Sequence, residues 1–377
     1  MLFTLLTFLA PISLMLYSSV DDPVVGDTLP RTAALLRLSK PGEVPGEELF
    51  ALLATEMKQA VEMQSAGKVA SRINFEQSGL RTVFMSTARR VADMAEGPWK
   101  PALIDINPAW GQPETWAVLR QTSQRLTLGF YLSALDLKRD AQDRIGRTPP
   151  DSRLYLQVFG RTLWVSFMVT LLCLVIGYPL SYWLAHLPAK TGNLMMALVL
   201  LPFWTSLLVR TTAWVVLLQK EGVVNSLLLA LGVIDQPLEM IFNRFGVVVA
   251  MTHILLPFMI LPLVSVMRQI PGAYVHAARS LGAGPGAAFW RVYLPQSMPG
   301  VSAGLLLVFI LAMGYYITPV LVGGATDQMM SYFIADNLSR SLNWGLASAL
   351  GGMLLAGVLV LYMVYQRIVG VGNVRPG

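Results

Sequence analysis

An arginine set in apolar sequence is the first residue of this 377-residue chain that demands a chemical explanation. Arg210 lies between Trp204 and Trp214 with Thr211 beside it, and a charge at the centre of a bilayer costs at least about 2.5–3.5 kcal/mol on insertion scales. Either it lines a polar path, or it reaches the headgroups from the outer third of its span. The two tryptophans suit an interfacial belt or packing, with stacking on a solute as their other use. His253 stands one turn before Pro257, and a hydrogen bond to a neighbouring helix is its expected use. Pro319 follows Tyr315 by four positions, which deprives the Tyr315 carbonyl of its helical donor and favours a kink. With Tyr316 and Asp327, these side chains are the candidates for lining a polar route through a bilayer.

Covalent chemistry has little to work with. His186, His253 and His276 are too dispersed for a metal or triad, and neither H-E-x-x-H nor G-x-S-x-G occurs. A G-x-x-x-x-G-K-[ST] phosphate loop is also absent, so any nucleotide hydrolysis belongs to another chain. The one cysteine, Cys173, sits in an apolar run and reads as a packed thiol. The net charge of +6 comes from singly scattered basic residues and not from a stripe suited to nucleic acid.

The elements that must position these residues are membrane helices. The chain is 54% hydrophobic and 13% charged, more apolar surface than a soluble fold buries. Apolar stretches long enough to cross about 30 Å of hydrocarbon lie near 2–20, 158–184, 194–218, 245–267, 298–322 and 345–366. The first lacks a clear cleavage site and reads as a retained anchor; its removal would leave five spans. Lys190, Arg268, Arg279, Arg291, Arg367 and Arg375 collect on one side without acidic company. The other side mixes Lys220, Arg244 and Arg340 with Glu221, Asp235, Glu239, Asp327 and Asp336. The first side is therefore expected to be cytoplasmic, with both termini.

Between the first two spans lies a polar insert, residues 21–153, with seventeen basic and seventeen acidic residues. Leu49, Phe50, Leu53, Met57 and Val61 recur at helical spacing within Gly46 to Gln64, and Thr115 to Asp136 holds a second apolar periodicity. A small helical extracytoplasmic domain is expected, with Trp99, Trp110 and Trp116 in its core; its Leu-rich helices could instead lie on the outer leaflet. The core of spans runs over 154–368, with a tail at 369–377. Gly351, Gly352 and Gly357 mark a close-packing face in the last span.

Residues 268–296 form a connection too long for a tight turn and too polar to span. Helix signals run from Pro271 through Ala273 to Leu281, and Gly282 to Gly286 with Pro285 stops them. A short helix, a glycine corner and a second short helix are expected. This segment resembles the EAA loop of binding-protein-dependent importer permeases, in which Glu-Ala-Ala is followed after three residues by Gly and after nine more by Ile-x-Leu-Pro. Ala277, Ala278, Gly282, Val292, Leu294 and Pro295 stand at that spacing, and His276 replaces the Glu. The stretches 200–214 and 316–324 are similar to those of spermidine/putrescine permeases.

The resemblance covers Tyr155 to Arg367 and implies an all-α type I ABC importer permease core that passes a polyamine or another small polar solute such as a phosphonate or opine. It implies partners: two ATPase subunits, which would hold ATP and Mg, a second and different permease chain, an extracytoplasmic solute-binding protein, and the bacterial inner membrane. It also implies that His276, Ala277, Ala278, Arg279, Leu281, Gly282, Val292, Leu294 and Pro295 form the ATPase-coupling surface, with docking resting on shape and on Arg279. The five external acidic residues would draw a cation inward, whereas Arg210 would repel one and suits an anionic or zwitterionic solute better. A secondary transporter, the competing class, calls for repeated halves and buried coupling carboxylates, and neither is visible. A membrane-anchored scaffold would leave the docking loop without a use.

Overall fold

The computed structural model describes residue 3, residues 5–95 and residues 97–370. Residues 1, 2 and 4 of the first apolar stretch, and 371–377 of the tail with Arg375, lie outside them. The chain divides into two compact units, residues 1–156 with 334–353, and residues 157–333 with 354–377.

The first unit begins with α1 (Leu5–Ser18) and continues through α2 (Val24–Thr28), α3 (Pro30–Leu38), α4 (Glu47–Glu62), α5 (Ala66–Glu76), α6 (Leu80–Ala92), α7 (Trp99–Ile106), α8 (Pro113–Thr122) and α9 (Gly129–Ala134). The apolar stripe of α4 folds inward, so Leu49, Phe50, Leu53 and Met57 are buried with Phe84 and Val91 of α6. Trp116 lies against Phe50 at 4.7 Å between ring centroids and against Trp110 at 5.6 Å. Buried indoles need acceptors, and both have one: Trp110 donates to Thr87 Oγ1 at 2.8 Å and Trp116 to the Trp110 carbonyl at 2.8 Å. Trp99 packs at the core's edge.

Carboxylates fasten the ends of this unit's helices. Glu56 accepts from the amides of Arg31 and Thr32, both at 2.9 Å, which supplies the start of α3 with the acceptors its sequence lacks. Asp136, in left-handed conformation (φ 53°), does the same for the amides of Leu154, Tyr155 and Leu156 at 2.8–3.1 Å. Asp22 is buried beside Arg72 at 2.7 Å, and Arg72 also meets Glu76 at 2.9 Å. Burial raises the Asp22 carboxyl above the ordinary carboxylate range, against the pull of Arg72.

One feature of the insert departs from the all-helical expectation. After α9, β1 (Leu137–Arg139) pairs antiparallel with β2 (Ile145–Arg147). The Asp140 side chain fixes the connecting turn by accepting from the amides of Gln142 and Arg144.

The second unit holds most of the long apolar helices, and two of the predicted spans differ in extent from the helices observed. Five helical stretches among the described residues are long and apolar enough to cross a membrane; α1, the described part of the first expected span, is shorter, and residues 1, 2 and 4 lie outside the described residues. The first of the five is α10 (Tyr155–His186). The stretch expected at 194–218 is broken into α11 (Ala189–Leu200), a 3₁₀ turn at Leu201–Trp204, and α12 (Leu207–Leu218), because Pro202 and the extended Thr205 interrupt it. The span-length stretch begins at Leu207 and continues through α13 (Val223–Ala230). α14 (Arg244–Met267) follows, then α15 (Gly272–Ser280).

The second difference concerns the expected span 298–322. Its helix, α16, runs from Pro285 to Met313, passing through a π-helical turn at Phe289–Tyr293. The expected second short helix of the loop is therefore the head of a span. α17 (Ile317–Val322) is separate, α18 covers Met330–Ser339, and α19 (Trp344–Gly370) closes the chain.

Within the second unit α14 and α16 lie close together. A Cβ at Gly304 would come within 2.6 Å of Met259 Sδ, and one at Gly300 within 3.1 Å of the Pro262 carbonyl, so small residues set this approach. Val165, Val169 and Cys173 of α10 complete the core with Met251, Leu255, Val308 and Ala312.

Candidate functional site

The expected docking loop starts where α14 ends. Pro271 caps α15, Gly282 takes φ +89°, and the Gly282 and Ala283 amides donate to the carbonyls of Arg279 and Ala278, both at 3.0 Å. A left-handed residue with two backward hydrogen bonds is how a helix stops abruptly, and glycine adopts that conformation without a Cβ penalty. The chain then turns straight into α16.

α15 buries none of its residues in this chain. Val275 turns back onto the second unit's core, whereas His276, Ala277 and Arg279 face outward and Leu281 is 89% exposed. Tyr274 and Trp290 are also exposed. Val292 and Leu294 are half-buried at the head of α16, with Pro295 exposed beside them.

The root of this loop is tied to α10 by aromatic rings that sequence reasoning did not single out. Tyr182 meets Phe289 edge-on at 5.8 Å and Tyr293 at 5.1 Å, and His186 lies 5.6 Å from Tyr293. The Tyr178 hydroxyl bonds Ser297 Oγ at 2.9 Å. Their i, i+4, i+8 spacing on α10 was the available signal.

Some of the candidate path residues converge. Thr211 on α12 bonds Thr318 on α17 at 3.1 Å, and Trp214 donates to His253 Nδ1 on α14 at 3.1 Å, so His253 is used between helices. Arg210 lies within electrostatic reach of His253 and Tyr315, and its buried Nε has no hydrogen-bond partner among the described residues. The Tyr315 carbonyl is free of its helical donor and accepts from Ser331.

Others stand apart. Trp204 sits on the 3₁₀ turn and is 90% exposed, and Tyr316 is exposed at the break before α17. Asp327 is buried near the start of α14, paired with Arg244 at 3.2 Å, and Arg244 lies over the Trp164 ring at 5.4 Å. Neither Arg244 nor Trp164 was among the sequence candidates for the path. They lie eighty positions apart, so no local pattern joins them.

A short exposed helix, closed by a left-handed glycine, thus separates two long apolar helices. The family profile described as "Binding-protein-dependent transport system inner membrane component" matches residues 164–370. The chain belongs to this family of inner membrane components. It is 37% identical over 214 residues to the spermidine/putrescine transport system permease protein PotB of Haemophilus influenzae, covering 57% of this chain and 75% of that protein. With PotB of Escherichia coli it shares 36% identity over 214 residues, 57% of this chain and 78% of that one. A crystal structure of a bacterial ABC transporter involved in the import of the acidic polysaccharide alginate aligns with 57% of this chain and 80% of that chain, at 19% identity and a TM-score of 0.47. The matched segment of this inner membrane component holds α15, the aromatic root and the converging path residues. The insert lies outside it.

Proposed function

We propose that this chain is the permease subunit of an ATP-driven ABC importer for a polyamine of the spermidine/putrescine class. The carrying observation is the α15 corner, whose exposed Leu281 and left-handed Gly282 offer a seat for a motor that the chain itself lacks. Relatives named for spermidine and putrescine transport supply the solute class.

In this reading two ATPase subunits bind ATP and Mg and dock on residues 276–282. Their closure moves α15, and α16 carries that displacement into the membrane because it is continuous with the loop. A second, different permease chain completes the path, and an extracytoplasmic solute-binding protein delivers the solute. The distribution of Lys and Arg supports both termini facing the cytoplasm, with α1 crossing as a sixth span, and the insert facing the outside. The path draws on the Arg210, Thr211, Trp214, His253 and Tyr315 region.

A second solute class has one observation in its favour. Among the described residues no carboxylate pairs with Arg210, which suits an anionic or zwitterionic solute. Purification in mild detergent followed by uptake assays tests both. Co-purification of an ATPase and nucleotide-dependent accumulation of labelled spermidine are expected; accumulation of a phosphonate or opine instead would assign the other class. Solute movement by the chain without any ATPase would overturn the reading.

A further inference from the structure

Outside the insert the chain has five carboxylates, at Glu221, Asp235, Glu239, Asp327 and Asp336. Among these, Asp327 has a side chain only 11% exposed, whereas Glu239, bound to Lys220, is 74% exposed and Asp336, bound to Arg340, is 28% exposed. It sits at the end of α14 opposite the docking loop, a distance of about 36 Å for a 24-residue helix. The backbone of the preceding Gly323 and Gly324 closes tightly around it: a Cβ at Gly324 would approach Asp327 Oδ2 to 3.2 Å.

The cation held there is the chain's own. Arg244 offers Asp327 one contact, from Nε at 3.2 Å, and leaves its two-pronged face unused on that carboxylate. Its guanidinium lies over Trp164, and its side chain remains 48% exposed. Arg161, the other cation nearby, is bonded to the Gln328 carbonyl at 2.9 Å, and Gln328 Oε1 is buried without a partner among the described residues. A buried carboxylate beside an aromatic face is the pair of groups that holds an organic ammonium ion. With Arg244 paired to Asp327 and Arg161 within electrostatic reach of it, an arriving ammonium must replace Arg244 and cannot join it.

We propose that Asp327 and Trp164 form a binding subsite for an alkylammonium group, which Arg244 occupies as an internal substitute until a solute amine displaces it. This rests on the polyamine reading and deepens it. Arg244 then sets a threshold: a solute ammonium must gain enough from the carboxylate and the ring together to expel a tethered competitor.

Two measurements on the assembled importer test this. In proteoliposomes, Arg244→Gln is expected to lower the KM for spermidine about three- to tenfold, and Asp327→Asn to raise it about tenfold, with the double variant following Asp327→Asn. In the purified complex, spermidine is expected to quench tryptophan fluorescence in wild type and not in Trp164→Phe, with sodium chloride of equal ionic strength inert. Unchanged KM in both Arg244→Gln and Asp327→Asn overturns the subsite, as does quenching that survives Trp164→Phe. A wild-type complex that shows the Trp164-dependent signal without transporting spermidine keeps the subsite and removes the polyamine reading. Transport without that signal does the reverse.

Discussion

The Ser331 hydroxyl donates to the backbone carbonyl of Tyr315 at 2.5 Å, sixteen positions away. Pro319 has no amide hydrogen, so this carbonyl loses the partner that a continuous helix would provide, and a group that lies apart from water must find another. Ser331→Ala removes the replacement and is expected to destabilise the chain by roughly 1–3 kcal/mol. Thermal unfolding in detergent checks this; a midpoint equal to wild type would show that the break before α17 stands without the bond.

The docking corner depends on one backbone conformation. Gly282 has φ +89°, and no atom lies within 4 Å of the position its Cβ would take, so substitution there meets strain and not a clash. Gly282→Asp places a β-carbon in that strained region and a carboxylate at the proposed ATPase contact. Membrane insertion is expected to persist while nucleotide-driven uptake is lost. Wild-type uptake by this variant would count against the coupling role.

Leu281 tests the same surface without disturbing the backbone. At 89% exposure it contributes little to the chain's own core, so Leu281→Asp should shift the isolated chain's unfolding by no more than about 0.5 kcal/mol. Recovery of the ATPase in a pull-down should fall sharply. If ATPase recovery stays at the wild-type level, the partner is seated elsewhere.

The insert carries a pH signature. Asp22 has its pKa raised by burial, so the folded state binds its proton more readily than the unfolded chain. Stability therefore falls as pH rises through the window just above the ordinary carboxylate range, and is recovered on acidification. Replacing Asp22 with Asn should flatten the dependence of unfolding midpoint on pH in that window. An identical profile for both proteins would show that Arg72 compensates the burial completely.

What the sequence made legible was whatever repeats locally. The apolar spacing of residues 49–61 gives α4, the small residues and glycine of 277–282 give the corner, and Pro319 announces the free carbonyl of Tyr315. Hydropathy did not reveal the interruption at residues 201–206, since Leu201, Phe203 and Trp204 keep the stretch apolar while Pro202 ends the helix. The hairpin at 137–147 escaped because its strands are three residues long and charged, and their pairing follows from the Asp140 turn. Partnerships across long separations, such as Asp136 with the start of α10 or Arg244 with Trp164, have no local signature.

The fusion of the loop's second half with α16 has a mechanical consequence. A helix of 29 residues is about 43 Å long, so a tilt of about 5° at its docked end displaces the opposite end by nearly 4 Å. That is comparable to the width of a methylene chain. In the proposed importer, small angular travel of the ATPase would thus suffice to open or shut a passage of molecular width, and the π-helical turn near the fulcrum is the place where such rotation would strain the backbone first.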